Sequence, residues 1–318
     1  METGSKIFIA GATGLLGSAL IRKLSQRGYS LIAPSKSELN LLDGYSVKRF
    51  FDNACPNYVF LAAAKVGNIF ANISQPTEFL SENLAIQQNV ITNAHSFGVK
   101  KLIFFASNCC YPRLCIQPMR EGHLMSGPLE ETNRAYAIAK LAGIEMCRSY
   151  NKQYGTNFIV AIPAGMYGEK DNFDSGRAHV LADLIKKFHG AMISGRQEVV
   201  LFGDGLPRRE FIYVDDVAEA SIFLVDNFNP SKEEIGSGDI LVNVGTGVDY
   251  SIADLADMVR YVVGYTGRIH WDLSGPRGMP RKLLDSKRCR DMGWEPKTRI
   301  QDGIKRAYRW YIENIDLI

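Results

Sequence analysis

The apolar run KIFIAG (6–11) passes directly into GATGLLG, setting Gly11, Gly14 and Gly17 at three-residue intervals where a helical pattern begins. No other stretch restricts the fold as strongly. A short buried strand that turns sharply into a helix leaves little room for side chains at the turn. Gly11 allows the tight turn, Gly14 lets the backbone approach a pyrophosphate, and Gly17 lets the helix pack close to the sheet. Free amides and the dipole at the helix start favour negative phosphates. A glycine triplet alone also fits a plain turn. Its place between the first strand and the first helix is what points to a dinucleotide.

The rest of the first half repeats this grammar. LLGSALIRKLSQRG (15–28) has helical apolar spacing and a terminating glycine. YSLIAP (29–34), YVFLAAA (58–64), KLIFFAS (101–107) and NFIVAIPAG read as further strands, with helical segments between them. This β-α-β alternation predicts an α/β fold, a doubly wound parallel Rossmann sheet with right-handed crossovers. After Pro163 the order breaks into a long polar loop and mixed short elements, which read as a second, smaller, discontinuous α/β lobe over the sheet's carboxyl edge. The expected division is 1–163 plus about 207–246 for cofactor and about 164–206 plus 247–318 for substrate.

Charge and cysteine usage narrow the partners. A net charge of +3, with Lys and Arg spread along 318 residues, lacks the clustered basic footprint of a nucleic-acid binder. No apolar run reaches membrane-spanning length, and METGSKIFIAGATG enters a strand without a signal peptide. The six cysteines lack paired zinc spacing, so no metal is expected, and their density is too low for a disulfide scaffold. A reducing cytoplasm with mostly buried thiols is the expectation.

Chemistry concentrates in three places. After the second strand, IAPSKSELNL offers Ser35 and Lys36 and no acid before Glu38. An acid there would hold the ribose hydroxyls of NAD. A hydroxyl and an ammonium suit a 2′-phosphate, so NADP(H) is favoured, although Lys36 also fits a solvated surface. YAIAK puts Tyr136 and Lys140 on one helix face. A lysine cation beside the phenol would ease its ionisation, and the phenol could then pass a proton to a carbonyl oxygen. SNCCYP (107–112) places Ser107, Asn108, Cys109 and Cys110 just beyond a buried strand, where ligands of open α/β sheets collect.

The order of glycine triplet, strand-end serine and YxxxK resembles that of extended short-chain dehydrogenase/reductases. The blocks LAAAKVGNI, SNCCYP, PLEETNRAYAIAKLAGIEMCRSYNKQYG, MYGEKDNF, RREFIYVDD, NVGTGVDYSI and PRKLLD are similar to those of the GDP-L-fucose synthase family, over about residues 6–312. The resemblance implies NADPH-dependent reduction of a GDP-4-keto-6-deoxy sugar together with C3/C5 epimerisation in one pocket. It assigns Ser107 to the carbonyl oxygen, Cys109 as base, His179 as acid, Tyr136 as proton donor and Lys140 as its partner. A thiol suits the base role where nearby positive charge favours the thiolate. A histidine can donate a proton near neutral pH. Cofactor contacts are implied at Thr13, Leu15 and Leu16 beside the glycines, Leu61, Ala62, Ala63 and Ala106, Pro163, Ala164, Gly165 and Met166, and again at Lys140 and His179. Substrate contacts are implied at Ser107, Asn108, Lys187, Phe202, Arg209 and Arg277; Arg208 fits either a helper or a surface charge. The family's homodimer implies an interface through helices near 84–97 and 134–153.

The chain departs from the family pattern in several places. Phe202 replaces a tryptophan of some members, Lys187 an arginine, Arg277 an acid and Ala135 a proline. PAGMYG stands for PTNLYG, so Ala164 and Gly165 remove a hydroxyl and an amide from the pocket. These changes leave other readings open. One is a 4-reductase, or single epimerase/reductase, for another GDP-4-keto-hexose or heptose of surface-glycan biosynthesis. The other is a nucleotide-sensing protein on a retired reductase fold.

Overall fold

Runs of β-branched and aromatic residues buried on both faces become strands of a covered parallel sheet. The computed structural model describes residues 1–174, 176–274 and 278–317. Its first half runs β1 (Lys6–Ala10), α1 (Leu15–Leu24), β2 (Ser30–Ile32), α2 (Gly44–Ala54), β3 (Tyr58–Leu61), α3 (Ile69–Ser74), α4 (Pro76–Ser96), β4 (Lys101–Phe105), α5 (Arg134–Tyr154) and β5 (Phe158–Pro163). Then come β6 (Gly165–Tyr167), α6 (Val180–Ile193), β7 (Glu198–Phe202), β8 (Arg208–Tyr213), α7 (Val214–Asn227), α8 (Lys232–Ser237) and β9 (Leu241–Val244). The tail adds β10 (Asp249–Ser251), α9 (Ile252–Val263), β11 (Arg268–Asp272), β12 (Arg281–Lys282), α10 (Lys287–Asp291) and α11 (Ile300–Glu313).

Six strands form one parallel sheet in the order β2-β1-β3-β4-β5-β9, the doubly wound architecture expected. The chain steps outward from β1 to β2 and then returns to the other side of β1 at β3. That reversal opens a crevice at the carboxyl ends of β1 and β3. Gly11 sits there with φ +87, and a β-carbon on it would lie 2.7 Å from the Ala63 backbone. A β-carbon on Gly17 would lie 2.0 Å from Gly11 O, with no flexible side chain to give way. Gly17→Ala is therefore expected to cost about 3 kcal/mol through overpacking. A denaturant midpoint that falls at unchanged slope would show it. Gly28 is left-handed and terminates the segment, but a 3₁₀ turn, Ser25–Arg27, separates it from α1.

A charged residue opens β4, yet Lys101 is buried. Its ammonium donates to Leu224 O at 3.3 Å, Val225 O at 2.9 Å and Asn229 Oδ1 at 3.1 Å. It thus satisfies the orphan carbonyls at the end of α7, where a cation is favoured. On the other face α4 and α5 approach closely. A β-carbon on Gly143 would meet the Phe104 ring at 2.4 Å, and Gln87 Nε2 donates to Ala139 O at 2.6 Å.

The later elements build a second core. β8 is flanked by antiparallel β10 and by parallel β6 and β12, while β7 pairs with β11. Phe188, Leu201, Leu255, Val259, Ile304 and Tyr311 fill the space beneath. Leu284, Cys289 and Trp294 of the tail instead return to the first core. Among the described residues, no helix is long and apolar enough to cross a membrane.

Candidate active site at the carboxyl edge of the sheet

The residues singled out in the sequence gather at one edge because parallel strands all end there. The glycine turn follows β1, Ser35 and Lys36 follow β2, Ala62 and Ala63 follow β3, and Ala106 and Ser107 follow β4. Pro163 ends β5, and Ala164, Gly165 and Met166 lead into β6. Leu16, Leu61, Ala106, Pro163 and Ala164 are buried, so they present backbone more than side chain to the edge. Arg277 lies outside the described residues.

The phosphate cradle is made by conformation. Gly14 heads α1 without a side-chain cap, and the helix's first turn carries no acid, so its N–H groups and positive dipole end face outward. Together with the space kept by Gly11 and Gly17, this fits a pyrophosphate. Thr13 is exposed beside it. Beyond β2, Glu38 folds back onto Ser35, accepting from its N–H at 2.7 Å and its hydroxyl at 2.8 Å. These hydrogen bonds hold the Glu38 carboxyl below its ordinary pKa. The nearest acid is thus engaged with the serine, and Lys36 remains exposed.

The chemical groups meet beyond β4. Ser107 Oγ accepts from Cys109 N–H at 3.2 Å and caps a one-turn 3₁₀ helix, Asn108–Cys110. That turn leaves Cys109 half-buried in the cleft and buries Cys110 completely. Burial pushes the Cys110 thiol up to about 12, so it packs and does not react. Tyr136 lies on the first turns of α5, its ring 6.2 Å from and edge-on to Phe79. Burial raises its phenol well above the ordinary value, with Cys109 and Cys110 adding to this and a hydrogen bond to the Ser107 side chain opposing it.

Lys140 sits one turn further along α5, fully enclosed, donating to Phe105 O at 2.8 Å. Its ammonium is 5.9 Å from the centre of the Tyr136 ring and 4.8 Å from that of Phe104. Burial lowers it to about 8. The sequence suggested that this cation sets the phenol's acidity. The cation is instead held by a backbone carbonyl, and a hydrogen bond from the Ser107 side chain is what eases ionisation of the phenol.

His179 forms the N-cap of α6. Its surface is exposed, yet its pKa is lowered, first by burial and second by the positive charge of Lys282. Lys282 also reaches Cys109: its Nζ is 3.3 Å from Sγ. One lysine thereby links the thiol and the imidazole. Neither it nor Asn133, whose Nδ2 donates to the same sulfur at 3.2 Å, was singled out in the sequence. The signal was present only as PRKLLD and ETNRAYAIAK. Parallel pairing of β12 with β8 sets Lys282 opposite Arg209 and so brings it into the cleft.

The outer wall holds the remaining substrate candidates. Arg209 Nη1 donates to Arg208 O at 2.8 Å, and burial lowers its pKa, while Cys109 and Glu130 act in the opposite sense. Lys187 pairs with Asp183 at 2.8 Å and lies 5.4 Å from the centre of the Phe202 ring. Phe202, half exposed, meets Phe70 edge-on at 5.6 Å. Phe70 lines an open cavity of about 380 Å³ with Ile73 and Arg177. Arg208 belongs to a structural pair, its Nε donating to Asp249 Oδ1 at 3.0 Å. The thiols differ from expectation: Cys55, Cys109 and Cys115 are not buried. Cys55 occupies the left-handed end of α2, and Cys115 lies in the 111–132 loop with Sγ 3.5 Å from His123 Nδ1.

The segment carrying His179 contains a buried carboxyl, Asp171, which accepts from Asn172 N–H at 2.8 Å. Burial raises it to about 7. Between about pH 4 and 7 the folded state holds a proton that the unfolded chain has lost, so stability falls as pH rises through that window. Asp171→Asn removes this cost. Thermal scans are expected to show Tm higher by about 3 °C at pH 8 and unchanged near pH 4.

A doubly wound sheet with a glycine-rich phosphate turn and a Ser–Tyr–Lys set at its carboxyl edge defines a dinucleotide-dependent enzyme. The chain belongs to the NAD dependent epimerase/dehydratase family, which matches residues 7–245. It is 44% identical over 320 residues to GDP-L-fucose synthase of Escherichia coli K12, an alignment covering 98% of each chain. Its fold is similar to that of a GDP-6-OMe-4-keto-L-xylo-heptose reductase from Campylobacter jejuni, with TM-score 0.94, 37% identity and 99% of both chains covered. It is also similar to a GDP-mannoheptose C4 reductase from C. jejuni with NADP bound, with TM-score 0.90 and 39% identity over 98% of this chain and 99% of that one.

Proposed function

We propose that the chain catalyses NADPH-dependent reduction of a GDP-4-keto-6-deoxy sugar, with epimerisation beside the ketone, as a cytoplasmic homodimer. The observation that carries this reading is the convergence of Ser107, Tyr136 and Cys109 at the end of β4, in a chain with GDP-L-fucose synthase as a full-length relative. Gly11, Gly14, Gly17, Ser35 and Lys36 would hold NADP(H), which supplies hydride when bound. The NADP-bound structural relative and the tied-up Glu38 support this choice over NADH.

In this reading Ser107 donates to the substrate carbonyl and stabilises negative charge on its oxygen during enolisation and reduction. Cys109 removes the proton beside the ketone, and His179 returns one on the opposite face. Tyr136 then protonates the oxygen as the carbonyl is reduced. Lys140 would turn from Phe105 O towards cofactor and phenol. Arg209 and Lys187 would bind the diphosphate, and Phe202 would offer a ring to the base. Lysine brings a point charge without the bidentate fork of arginine.

Incubation with GDP-4-keto-6-deoxymannose in D₂O, first without and then with NADPH, tests the whole scheme. Deuterium beside the ketone followed by NADPH oxidation is the expected result. Turnover without deuterium incorporation would leave a reductase only, and no turnover would reject the reading. A second reading is reduction of a GDP-4-keto-heptose. The heptose-reductase structural relatives support it. NMR of products from both substrates separates the two.

The dimer would form through the outer faces of α4 and α5, where Ile138 and Tyr154 are exposed. Sedimentation showing monomers alone at micromolar concentration would reject it.

A further inference from the structure

The sulfur of Cys109 sits under two nitrogen donors. Lys282 Nζ is 3.3 Å away and Asn133 Nδ2 is 3.2 Å away. The acceptor beside it, Asn108 Oδ1, is 3.9 Å from the sulfur and is itself approached by Lys282 at 3.5 Å. Lys282 is buried, and among the described residues its ammonium makes no hydrogen bond or ion pair beyond its contacts with Asn108 and Cys109. Asn133 aims its Nδ2 at the sulfur, while its Oδ1 is buried without a hydrogen-bond partner. An uncharged thiol has little use for two donors, one of them a buried cation. A thiolate, which only accepts, is matched by both.

We propose that Lys282 and Asn133 form a donor clamp that holds Cys109 as its thiolate and aims it across the cleft, Lys282 being the positioning residue that makes the thiol a base. Other groups face the same sulfur. Arg209 on β8 contributes positive charge, and Cys110 and the Tyr136 phenol are neutral while protonated. The same ammonium acts on His179, where it opposes protonation. The cation that faces the sulfur thus also bears on the imidazole, second to burial.

The inference rests on the proposed function only for what the thiolate does; the clamp itself is measurable without a sugar. The probe is iodoacetamide, which is neutral and so is not steered by the lysine's charge. Alkylation of Cys109 is followed by peptide mass spectrometry between pH 6 and 10, with Cys109→Ser as the blank. In Lys282→Met the rate at pH 7 is expected to fall about tenfold or more, because an opposite charge at this distance is removed. The rate should recover towards that of the parent protein at pH 10, where the thiol ionises unaided. Lys282→Arg, which keeps the charge, should come within about threefold of the parent at pH 7, and Asn133→Ala should lie between. If Lys282→Met does not fold, judged by circular dichroism and NADPH binding, Lys282→Gln takes its place. A pH 7 rate unchanged in the uncharged variant, or one that stays slow at every pH, overturns the clamp. Rapid, lysine-dependent alkylation in a protein that exchanges no deuterium into its substrate would leave the clamp intact and reject the epimerase reading instead.

Discussion

Tyr136→Phe is expected to lower the rate of NADPH oxidation by about three orders of magnitude, within the range spanned by a positioned proton donor, while NADPH binding survives. Loss on that scale follows from what the phenol alone supplies. Ser107 can stabilise the carbonyl oxygen, but its hydroxyl is engaged by Cys109 N–H at 3.2 Å and is a far weaker acid than a phenol. Lys140 lies behind the phenol, its ammonium 5.9 Å from the centre of the Tyr136 ring, and is placed to assist it with charge rather than to replace it as the donor. Phenylalanine keeps the ring, and hence the edge-on contact with Phe79 at 6.2 Å, so the start of α5 should not move. A KM close to the parent value with kcat near background is the expected split, since the proton is needed only in the transition state. Fluorescence titration with NADPH checks that the cofactor site is intact. Retention of even a tenth of the parent rate would mean that another group, or water, protonates the oxygen.

Lys140 sharpens the same expectation. Burial lowers its ammonium to about 8, against an unfolded value near 10.4. The charge is therefore mostly present at pH 7 and is lost as pH rises through 8. If that charge assists the phenol once cofactor and ketone are bound, the reductase rate should decline above pH 8.

The edge of the sheet was readable in the sequence because its causes are local. A glycine triplet between a strand and a helix, four-residue spacing on one helix, and polar residues directly after KLIFFA are each decided by near neighbours in the chain. The doubly wound sheet was readable for the same reason, since alternation of buried runs and amphipathic helices repeats over short distances. Contacts spanning most of the chain were not. Lys282 is 173 residues from Cys109, and only the parallel register of β12 against β8 brings it there. PRKLLD carries no local sign of that pairing. Asn133 is three residues from Tyr136, but its aim at the sulfur depends on how α5 meets the 108–110 turn. Exposure of individual thiols was hidden too, because Cys55 is set by a left-handed helix end and Cys115 by a loop without periodicity.

Cys109→Ser separates the two chemistries that the site is proposed to share. Serine keeps the backbone N–H that bonds to Ser107 Oγ, so the one-turn helix and the oxygen-stabilising hydroxyl should persist. What changes is basicity: a hydroxyl lies far above a thiol in proton affinity and is not ionised by Lys282 at neutral pH. Deuterium uptake beside the ketone is expected to fall by about a thousandfold, a loss within that of removing a positioned base. Reduction of a ketone supplied with its centres already inverted should proceed within about threefold of the parent rate, because Tyr136 and Ser107 are untouched. The order of events follows. If abstraction precedes reduction, Cys109→Ser given the uninverted ketone should consume NADPH only as fast as it can reduce that ketone directly, yielding a product of different stereochemistry. NMR of that product tells a blocked first step from a generally damaged site, in which both substrates would slow together. Uptake and reduction both unchanged would leave the sulfur a packing atom and move the base elsewhere in the cleft.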